Sequence, residues 1–430
     1  MRDYPSPRAA WTLTGLLTVA YVLSFLDRYI LGLLVQPIKA DLGVSDERMG
    51  YLLGPAFALF YATMGVPLGW LADRVRRTSL VAAGVALWSL ATAASGLARG
   101  FGHLFLSRMG VGVGEAVLSP SAMSLIGDSF PPEKRGRPIS LYSAALSLGA
   151  GLASLIGAGV LAWAKSSGDV VFPLLGAVRP WQFAFLVVGL PGLLLAAAFL
   201  FTPEPPRRRG EAEAAAGFGE ALGVVRRHLA AFGGVTLFVT VMTIVAYSHS
   251  FNPAAFSRTY RWEAQDYALV NGLVILAVGP ATVAASGAVI DRWRGRGRRD
   301  AAFRLLVIGY LVMLPANAVP LYMPTPGLAF AFLGLGSIGL GIVTAAGIVA
   351  LLDITPAGAR GTIVALYYMA ISIGGLGLGP TTVGLLSTRV FGEGNLRAAI
   401  AAVPVIYGLI PILLLPVIAR GYRRRQEVHA

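Results

Sequence analysis

Four charged residues stand inside long apolar runs of the sequence: Asp27, Arg28, Arg108 and Glu115. A charged side chain at the centre of a bilayer costs about 2.5–3.5 kcal/mol on an insertion scale, so such residues pair with one another or line a wet cavity. Burial favours the protonated form of a carboxyl group, and a nearby arginine favours the ionised form. A carboxyl group that gains and loses an arginine partner would therefore bind and release a proton.

The spacing of these residues predicts that they lie close together. At about 1.5 Å per helical residue, Asp27 lies roughly 24 Å from the inner end of its run and Glu115 roughly 20 Å from the inner end of its own. Arg108 precedes Glu115 by two helical turns and shares its face. We expect Asp27 and Glu115 to be the protonatable pair, with Arg28 and Arg108 as switching partners or headgroup ligands. The alternative is a static salt bridge between two helices.

The elements that must position these charges are membrane-spanning helices. The 430-residue chain is 56% hydrophobic and only 13% charged, whereas soluble domains carry about 25% charged residues. Apolar runs of roughly 18 residues or more indicate spans, and the chain has room for about twelve. We expect spans at 11–36, 50–72, 79–99, 103–128, 138–164, 181–201, 231–252, 266–290, 301–322, 326–350, 361–389 and 395–419. The first run is too long for a cleaved signal peptide and is interpreted as a span.

One long polar segment, 202–230, divides the chain into an N-terminal six-helix bundle (1–201) and a C-terminal six-helix bundle (231–430). Arginine and lysine are concentrated in alternate loops and in the polar segment. By the positive-inside rule, both termini and the segment 202–230, a linker, face the cytoplasm. The formal net charge of +14 is then a feature of topology, and no nucleic-acid partner is expected.

Two patterns recur in the two halves of the chain. The pattern G-x-x-x-D-R-x-R stands at 69–76 and again at 287–294. A second series recurs with identical internal spacing: Asp128, Pro131, Arg135, Gly136, Leu141, Tyr142, Ser147 and Gly149 match Asp353, Pro356, Arg360, Gly361, Leu366, Tyr367, Ser372 and Gly374. The chain is therefore predicted to be an all-α polytopic membrane protein of twelve transmembrane helices in two six-helix pseudo-repeats.

The repeated loop residues have the chemistry of a gate. An acid at a helix end can cap a neighbouring helix, and an arginine can hold that acid or a lipid phosphate. The small side chains of Gly69 and Gly287 predict close approach of another helix. The predicted cytoplasmic gate comprises Asp73, Arg74, Arg76, Asp128, Arg135, Asp291, Arg292, Asp353 and Arg360. The alternative is that these charges only set topology.

The second half has no carboxylate in the middle of a span, and its polar residues there are neutral or weakly basic. Tyrosine and serine hydroxyls of both halves are candidates to line a central cavity: Tyr142, Tyr247, Tyr367, Tyr368 and Ser372. The alternative for each is hydrogen bonding that packs one helix against another. A cavity with charge on one side and apolar walls would suit an amphipathic substrate.

The duplicated loop motif and the six-plus-six arrangement resemble the major facilitator superfamily over essentially the whole chain. Arg76 and Arg294 stand where the family pattern has glycine. Within that superfamily, Ser24-Phe-Leu-Asp27-Arg28-Tyr29 and Arg108-Met-Gly-Val-Gly112-Val-Gly114-Glu115 resemble the Spinster-like branch, of bacterial type. That resemblance implies a lipid or lysolipid as the substrate.

Several chemistries are excluded by the sequence. There is no cysteine and no P-loop motif, and the histidines are scattered: His103, His228, His249 and His429. The G-x-G-x-x-G at 334–339 lies in an apolar run without a preceding strand, so it predicts helix packing and no dinucleotide site. We therefore expect no metal, no cofactor and no enzymatic activity.

The expected function is proton-coupled transport of an amphipathic lipid or lysolipid by alternating access, in the inner (plasma) membrane. The expected partners are the substrate, protons and the bilayer, and a monomer suffices to form the cavity. A drug or organic-anion exporter is an alternative of the same class. A lipid scramblase or channel, and an intramembrane lipid enzyme, are alternatives of other classes. Direction of transport and stoichiometry do not follow from the sequence.

Overall fold

The computed structural model describes residues 4–172, 176–207 and 218–429. In the first half, the α-helices are α1 (Pro7–Leu33), α2 (Val35–Leu42), α3 (Asp46–Leu53), α4 (Pro55–Ala72), α5 (Arg77–Ser95), α6 (Phe101–Glu115), α7 (Leu118–Ser129), α8 (Gly136–Ser167), α9 (Pro180–Gly189) and α10 (Pro191–Leu200).

The second half continues the helical pattern. Its α-helices are α11 (Phe218–Arg227), α12 (Leu229–Ser248), α13 (Asn252–Tyr260), α14 (Ala264–Gly295), α15 (Ala301–Ala318), α16 (Pro326–Asp353), α17 (Arg360–Ile371), α18 (Gly377–Leu386) and α19 (Leu396–His429). Two π-helical segments, Ser372–Leu376 and Ser387–Phe391, flank α18. Short 3-10 helices lie at Pro132–Lys134, His249–Phe251, Pro320–Tyr322, Ala357–Ala359 and Glu393–Asn395.

The prediction of an all-α polytopic membrane protein is confirmed. In the described part of the chain, eleven helical stretches are long and apolar enough to cross a membrane. The remaining predicted span, 50–72, corresponds to the end of α3 and the whole of α4, which meet at Gly54. Helices that are apolar on all sides are typical of membrane spans, because lipid and protein interior both accept apolar side chains.

Several predicted spans are interrupted helices. The first span begins at Pro7, where the Ser6 side chain caps the helix by accepting from the Ala9 amide at 3.3 Å, and α1 ends at Leu33. The fourth predicted span, 103–128, is two helices, because α6 ends at Glu115 and α7 begins at Leu118. The buried residue Glu115 therefore lies at the end of α6, where backbone groups leave the regular hydrogen-bond ladder.

A short β-hairpin joins α8 to α9, and the sequence analysis did not predict it. Strand β1 (Val170–Phe172) pairs antiparallel with β2 (Gly176–Val178), with Val170 opposite Val178. Gly176 has a φ of 75°, in the left-handed region that glycine adopts without steric cost. The hairpin follows Lys165 and precedes Arg179, outside the apolar spans.

The contacts within the chain define two compact units. Unit 1 comprises Met1–Arg208 and Ser250–Leu276, and unit 2 comprises Arg209–His249 and Ala277–Ala430. Within unit 1, the segment from the second half packs on the first: the Ser154 hydroxyl donates to Ala268 O at 2.7 Å, and Arg258 pairs with Asp46 at 2.6 Å. The predicted bundle boundaries stay a prediction, and part of the predicted linker 202–230 lies outside the described residues.

Candidate functional site

The structure brings Asp27 and Arg28 of α1 together with Arg108 and Glu115 of α6, inside unit 1. Glycines allow α6 to approach its neighbours closely enough to enclose these charges. A methyl group at Gly112 would lie 2.6 Å from Phe57 O of α4, and one at Gly114 would lie 2.7 Å from Gly84 O of α5. Any larger residue would therefore push the helices apart.

Glu115 is paired with Arg28. The Arg28 Nε and Nη2 atoms donate to Glu115 Oε2 at 2.8 and 2.5 Å. The Arg28 guanidinium also lies 4.7 Å from the ring centroid of Phe57 and 5.1 Å from that of Tyr61. Charge-assisted hydrogen bonds and aromatic faces both stabilise a guanidinium group away from water.

Asp27 and Arg108 are arranged differently from that pair. Asp27, Arg108 and Glu115 are each only 2% exposed. Arg108 donates from Nη1 to the backbone oxygen of Asp27 at 3.3 Å, so it contacts the main chain of Asp27. In the described part of the chain, Asp27 Oδ1, Arg108 Nε and Glu115 Oε1 are buried without a hydrogen-bond partner.

The tyrosines predicted to line a cavity differ in environment. Tyr142 is buried, stacks on Tyr21 with ring centroids 5.0 Å apart, and lies 3.5 Å from the Ser119 hydroxyl. In unit 2, Tyr367 is buried and meets Tyr368 edge-on at 5.2 Å, whereas Tyr368 is 53% exposed.

The other two cavity candidates, Ser372 and Tyr247, are half-buried. Ser372 begins the π-helical segment Ser372–Leu376. A cavity-lining role stays a prediction for all five residues.

A buried arginine that the sequence analysis did not single out organises the predicted cytoplasmic end of the first repeat. Arg77 donates from Nη1 to Asp128 Oδ2 at 2.5 Å and from Nε to Glu204 Oε1 at 2.8 Å. It also donates to the Ser124 hydroxyl at 2.7 Å and to Pro205 O at 3.0 Å. This one cation joins α5, α7 and the start of the polar segment.

Glu204 completes this cluster from the polar segment. Its second oxygen, Oε2, accepts from the Thr78 amide at 2.9 Å. Burial pushes the pKa of Glu204 up, but the hydrogen bonds from the Arg77 side chain and the Thr78 amide outweigh that effect and hold the pKa below its usual value. Glu204 is therefore held as an anion that binds Arg77.

The second repeat has a smaller cluster at the corresponding place. Arg294 contacts both oxygens of Asp353, at 2.6 and 2.7 Å, and the Tyr422 hydroxyl donates to Asp353 Oδ2 at 3.4 Å. The repeat pattern aligns Arg294 with Arg76, yet Arg77 is the residue that binds the acid of the first repeat. The reason is local: α4 ends at Ala72 and Arg77 begins α5, whereas α14 continues as a helix to Gly295.

The remaining residues of the predicted gate are exposed or contact backbone oxygens and a neighbouring ring. Arg76 donates to Thr202 O at 2.9 Å, Arg74 lies 3.7 Å from the centroid of the Trp70 ring, and Arg135 donates to Phe130 O at 3.0 Å. The exposed members are Asp73, Arg74, Arg76, Asp291, Arg292 and Arg360.

Neither Gly69 nor Gly287 would place a methyl group within 4 Å of a described atom. The predicted close helix approach at these two glycines is therefore wrong for this structure. Close approaches occur at other glycines, among them Gly112 and Gly114 in the motif of α6 that resembles the Spinster-like branch.

No site for a metal emerges from the described residues, since no group of three or more His, Asp or Glu side chains is placed to hold one. The two residues of this candidate site that the sequence analysis missed, Arg77 and Glu204, lie at the ends of apolar runs. Arg77 follows Arg74 and Arg76, so its burial could not be told from sequence. The Pro203-Glu204-Pro205 series was the one available signal for a fixed acid.

A family model described as Major Facilitator Superfamily matches residues 17–300. A protein described as an MFS-type efflux pump of Mycolicibacterium smegmatis (strain ATCC 700084 / mc(2)155) is 29% identical over 389 residues, covering 90% of this chain and 86% of that relative.

Spinster proteins are also similar. Protein spinster homolog 1 of Homo sapiens is 32% identical over 207 residues, which is 47% of this chain and 36% of the relative. The sphingosine-1-phosphate transporter SPNS2 of Xenopus tropicalis is 31% identical over 214 residues, 49% of this chain and 39% of the relative. These matches thus cover well under half of the Spinster proteins' length.

A solved structure extends the likeness to the full chain. The crystal structure of a bacterial homolog to the human lysosomal transporter Spinster, in an inward-facing and unoccupied conformation, superposes with a TM-score of 0.82. The two chains are 26% identical, and 98% of each is covered. The resemblance to Spinster proteins that the motifs of α1 and α6 indicated is confirmed.

Proposed function

We propose that this chain, which belongs to the major facilitator superfamily, couples the movement of an amphipathic lipid or lysolipid to the movement of protons. Membership makes it a multi-pass membrane transporter and not an enzyme. The observation that carries the proton-coupling proposal is the unequal pairing of two buried carboxyl groups. Glu115 binds Arg28, while Asp27 Oδ1 has no hydrogen-bond partner among the described residues.

Unequal pairing implies unequal protonation. A buried ionised carboxylate without a cation partner is strongly disfavoured, and such a group neutralises itself by binding a proton. Glu115 is ionised because Arg28 donates two hydrogen bonds to it. In this conformation Asp27 therefore carries the proton and Glu115 carries the charge.

A change of arginine partner would release that proton. Arg108 lies against the backbone of Asp27 and has a buried Nε without a hydrogen-bond partner in the described chain. When α1 and α6 shift relative to each other in the alternate conformation, Arg108 moves to the Asp27 carboxylate while Arg28 stays on Glu115, and the proton leaves Asp27. Substrate binding drives the transition only to the extent that it favours one of the two pairings.

The substrate class rests on similarity and on the chemistry of the site. One relative is described as a sphingosine-1-phosphate transporter, and an anionic headgroup could bind Arg28 or Arg108 in place of a carboxylate. Apolar and aromatic side chains of unit 1, together with the Tyr142 hydroxyl, would accommodate the remainder of an amphipathic molecule.

Drug or organic-anion export is the second candidate, and one observation favours it. A relative that aligns with 90% of this chain is described as an MFS-type efflux pump. The same carboxyl and arginine residues would then couple protons to an apolar substrate. For either substrate, we propose residence in the bacterial inner membrane as a monomer, with both termini in the cytoplasm.

Uptake into liposomes that contain the purified protein tests this proposal. A pH gradient is imposed, and accumulation of a labelled lysophospholipid is compared with that of amphipathic drugs, with protein-free liposomes as the control for passive partition. We expect the lysophospholipid to accumulate above its equilibrium level, and Asp27→Asn and Glu115→Gln to abolish this accumulation. Accumulation of drugs alone would support the efflux alternative, and equilibration that ignores the gradient would overturn proton coupling in favour of a uniporter or scramblase.

A further inference from the structure

Helix α5 directs one buried hydroxyl at the charged cluster. Its residues Gly84 and Trp88 contact Gly114 of α6, since a methyl group at Gly114 would lie 2.7 Å from Gly84 O and 2.8 Å from the Trp88 amide. Thr92 follows Gly84 by two helical turns and so lies on the same face of α5. It is fully buried.

The Thr92 side chain neighbours the Asp27 carboxyl group. Neither Thr92 Oγ1 nor Asp27 Oδ1 has a hydrogen bond of ordinary geometry to any described residue. Two buried polar atoms without partners cost free energy unless they satisfy each other or share a water. Each of these two atoms is therefore an available hydrogen-bond partner for the other.

The other groups around Asp27 cannot serve both of its protonation states. Arg28 and Arg108 carry only donors, so they suit an ionised Asp27. Glu115 is engaged by Arg28. A hydroxyl can donate to a carboxylate and can accept from a protonated carboxyl group.

We propose that Thr92 is the positioning residue of the proton site, which holds the Asp27 carboxyl group in one orientation through both its protonated and ionised states. This inference rests on the proposed proton coupling and adds to it a residue of a third helix. Thr92 binds no substrate in this role and acts through Asp27. Because a hydrogen bond to a charged acceptor is stronger than one to a neutral acceptor, loss of the hydroxyl disfavours ionised Asp27 more than protonated Asp27.

Infrared difference spectroscopy of the protein in liposomes tests the role without requiring a substrate. The protonated-carboxyl band is followed as pH is raised, and Asp27→Asn identifies the band that belongs to Asp27. Three variants are compared with the wild type: Thr92→Val removes the hydroxyl at constant volume, Thr92→Ser retains it, and Ser89→Ala removes a buried hydroxyl of the same helix that faces Gly192 of α10. Monodisperse elution establishes that each variant is folded.

We expect Thr92→Val to change the Asp27 band position and to move its midpoint about one pH unit upward, a roughly tenfold change in proton affinity. Thr92→Ser and Ser89→Ala should keep the wild-type band and midpoint. A wild-type midpoint in Thr92→Val, or the same shift in Thr92→Ser, would overturn the proposal and make Thr92 a packing residue. An Asp27 band that does not titrate in the wild type would also overturn it.

Failure of the proposed function has a different signature. The wild type would then show no gradient-driven accumulation, while the Asp27 band would still titrate and Thr92→Val would still move it. In that outcome Thr92 keeps its positioning role at a carboxyl group that is not coupled to transport.

Discussion

The two repeats of this transporter bury different chemistry in their membrane-spanning helices. In the first repeat, α1 and α6 enclose Asp27, Arg108 and Glu115. In the second, α12, α15 and α19 enclose aromatic rings: Phe238 meets Tyr310 edge-on at 4.7 Å, and Tyr310 donates its hydroxyl to Gly408 O at 3.0 Å. The first repeat thus buries paired carboxyl and guanidinium groups between two of its helices, whereas these three helices of the second repeat pack aromatic rings.

The predicted cytoplasmic ends show a second contrast. The Arg77 side chain is 3% exposed and binds two acids, whereas the Arg294 side chain is 38% exposed and binds one. Equivalent sequence motifs therefore give ion pairs of unequal importance for stability. An ion pair exposed to water adds little to the free energy of unfolding. A buried ion pair that loses one partner leaves a buried charge without compensation, which is strongly destabilising. The repeat pattern thus predicts where an ion pair forms but not how much that ion pair stabilises the protein.

The largest expected effect tests this second contrast. Arg77→Met should lower the free energy of unfolding by about 3–5 kcal/mol, because it leaves Asp128 and Glu204 without their shared cation. Arg294→Met should lower it by no more than about 1 kcal/mol. Unfolding in mixed micelles of rising SDS fraction measures both, with the exposed Arg292→Met as the control. Equal losses in the two variants would contradict the contrast.

The next effect sharpens the contrast within the charged core. Glu115→Gln should lower the free energy of unfolding by about 2–3 kcal/mol, since Arg28 loses its charged acceptor. Asp27→Asn should change it by less than about 0.5 kcal/mol, because a neutral group replaces a carboxyl group that we propose is protonated. The same SDS titration compares them. A loss for Asp27→Asn that matches the loss for Glu115→Gln would mean that Asp27 is ionised in the folded state.

The smallest effect concerns acid. The pKa of Glu204 is lower in the folded protein than in the unfolded chain, so its contribution to stability is complete above the unfolded pKa of about 4.3 and is lost as pH falls through the folded value. The SDS midpoint of the wild type should therefore fall between about pH 5 and pH 3 more steeply than that of Glu204→Gln. Glu220→Gln, which removes an exposed acid of α11, should follow the wild type. If the SDS midpoints of the wild type and Glu204→Gln changed in parallel with pH, Glu204 would not be an ionised partner of Arg77.

Much of the architecture could be predicted from sequence because the bilayer imposes it. Apolar runs fix the spans, and the cost of burial marks Asp27, Arg28, Arg108 and Glu115 as a group. The pairing of Arg28 with Glu115, and not of the side chains of Asp27 and Arg108, depends on side-chain directions that periodicity does not reveal. The burial of Arg77 in place of Arg76 depends similarly on where α4 ends.

The proton site of the first repeat is the central claim, and proton movement tests it most directly. Liposomes containing the protein and a pH-sensitive dye in their lumen receive a lysophospholipid under no imposed pH gradient, beside the variants Asp27→Asn and Glu115→Gln and protein-free liposomes. We predict that the wild type moves protons across the membrane as the lipid moves and that both variants do not. Lipid movement without proton movement in the wild type, or wild-type proton movement in both variants, would contradict the account.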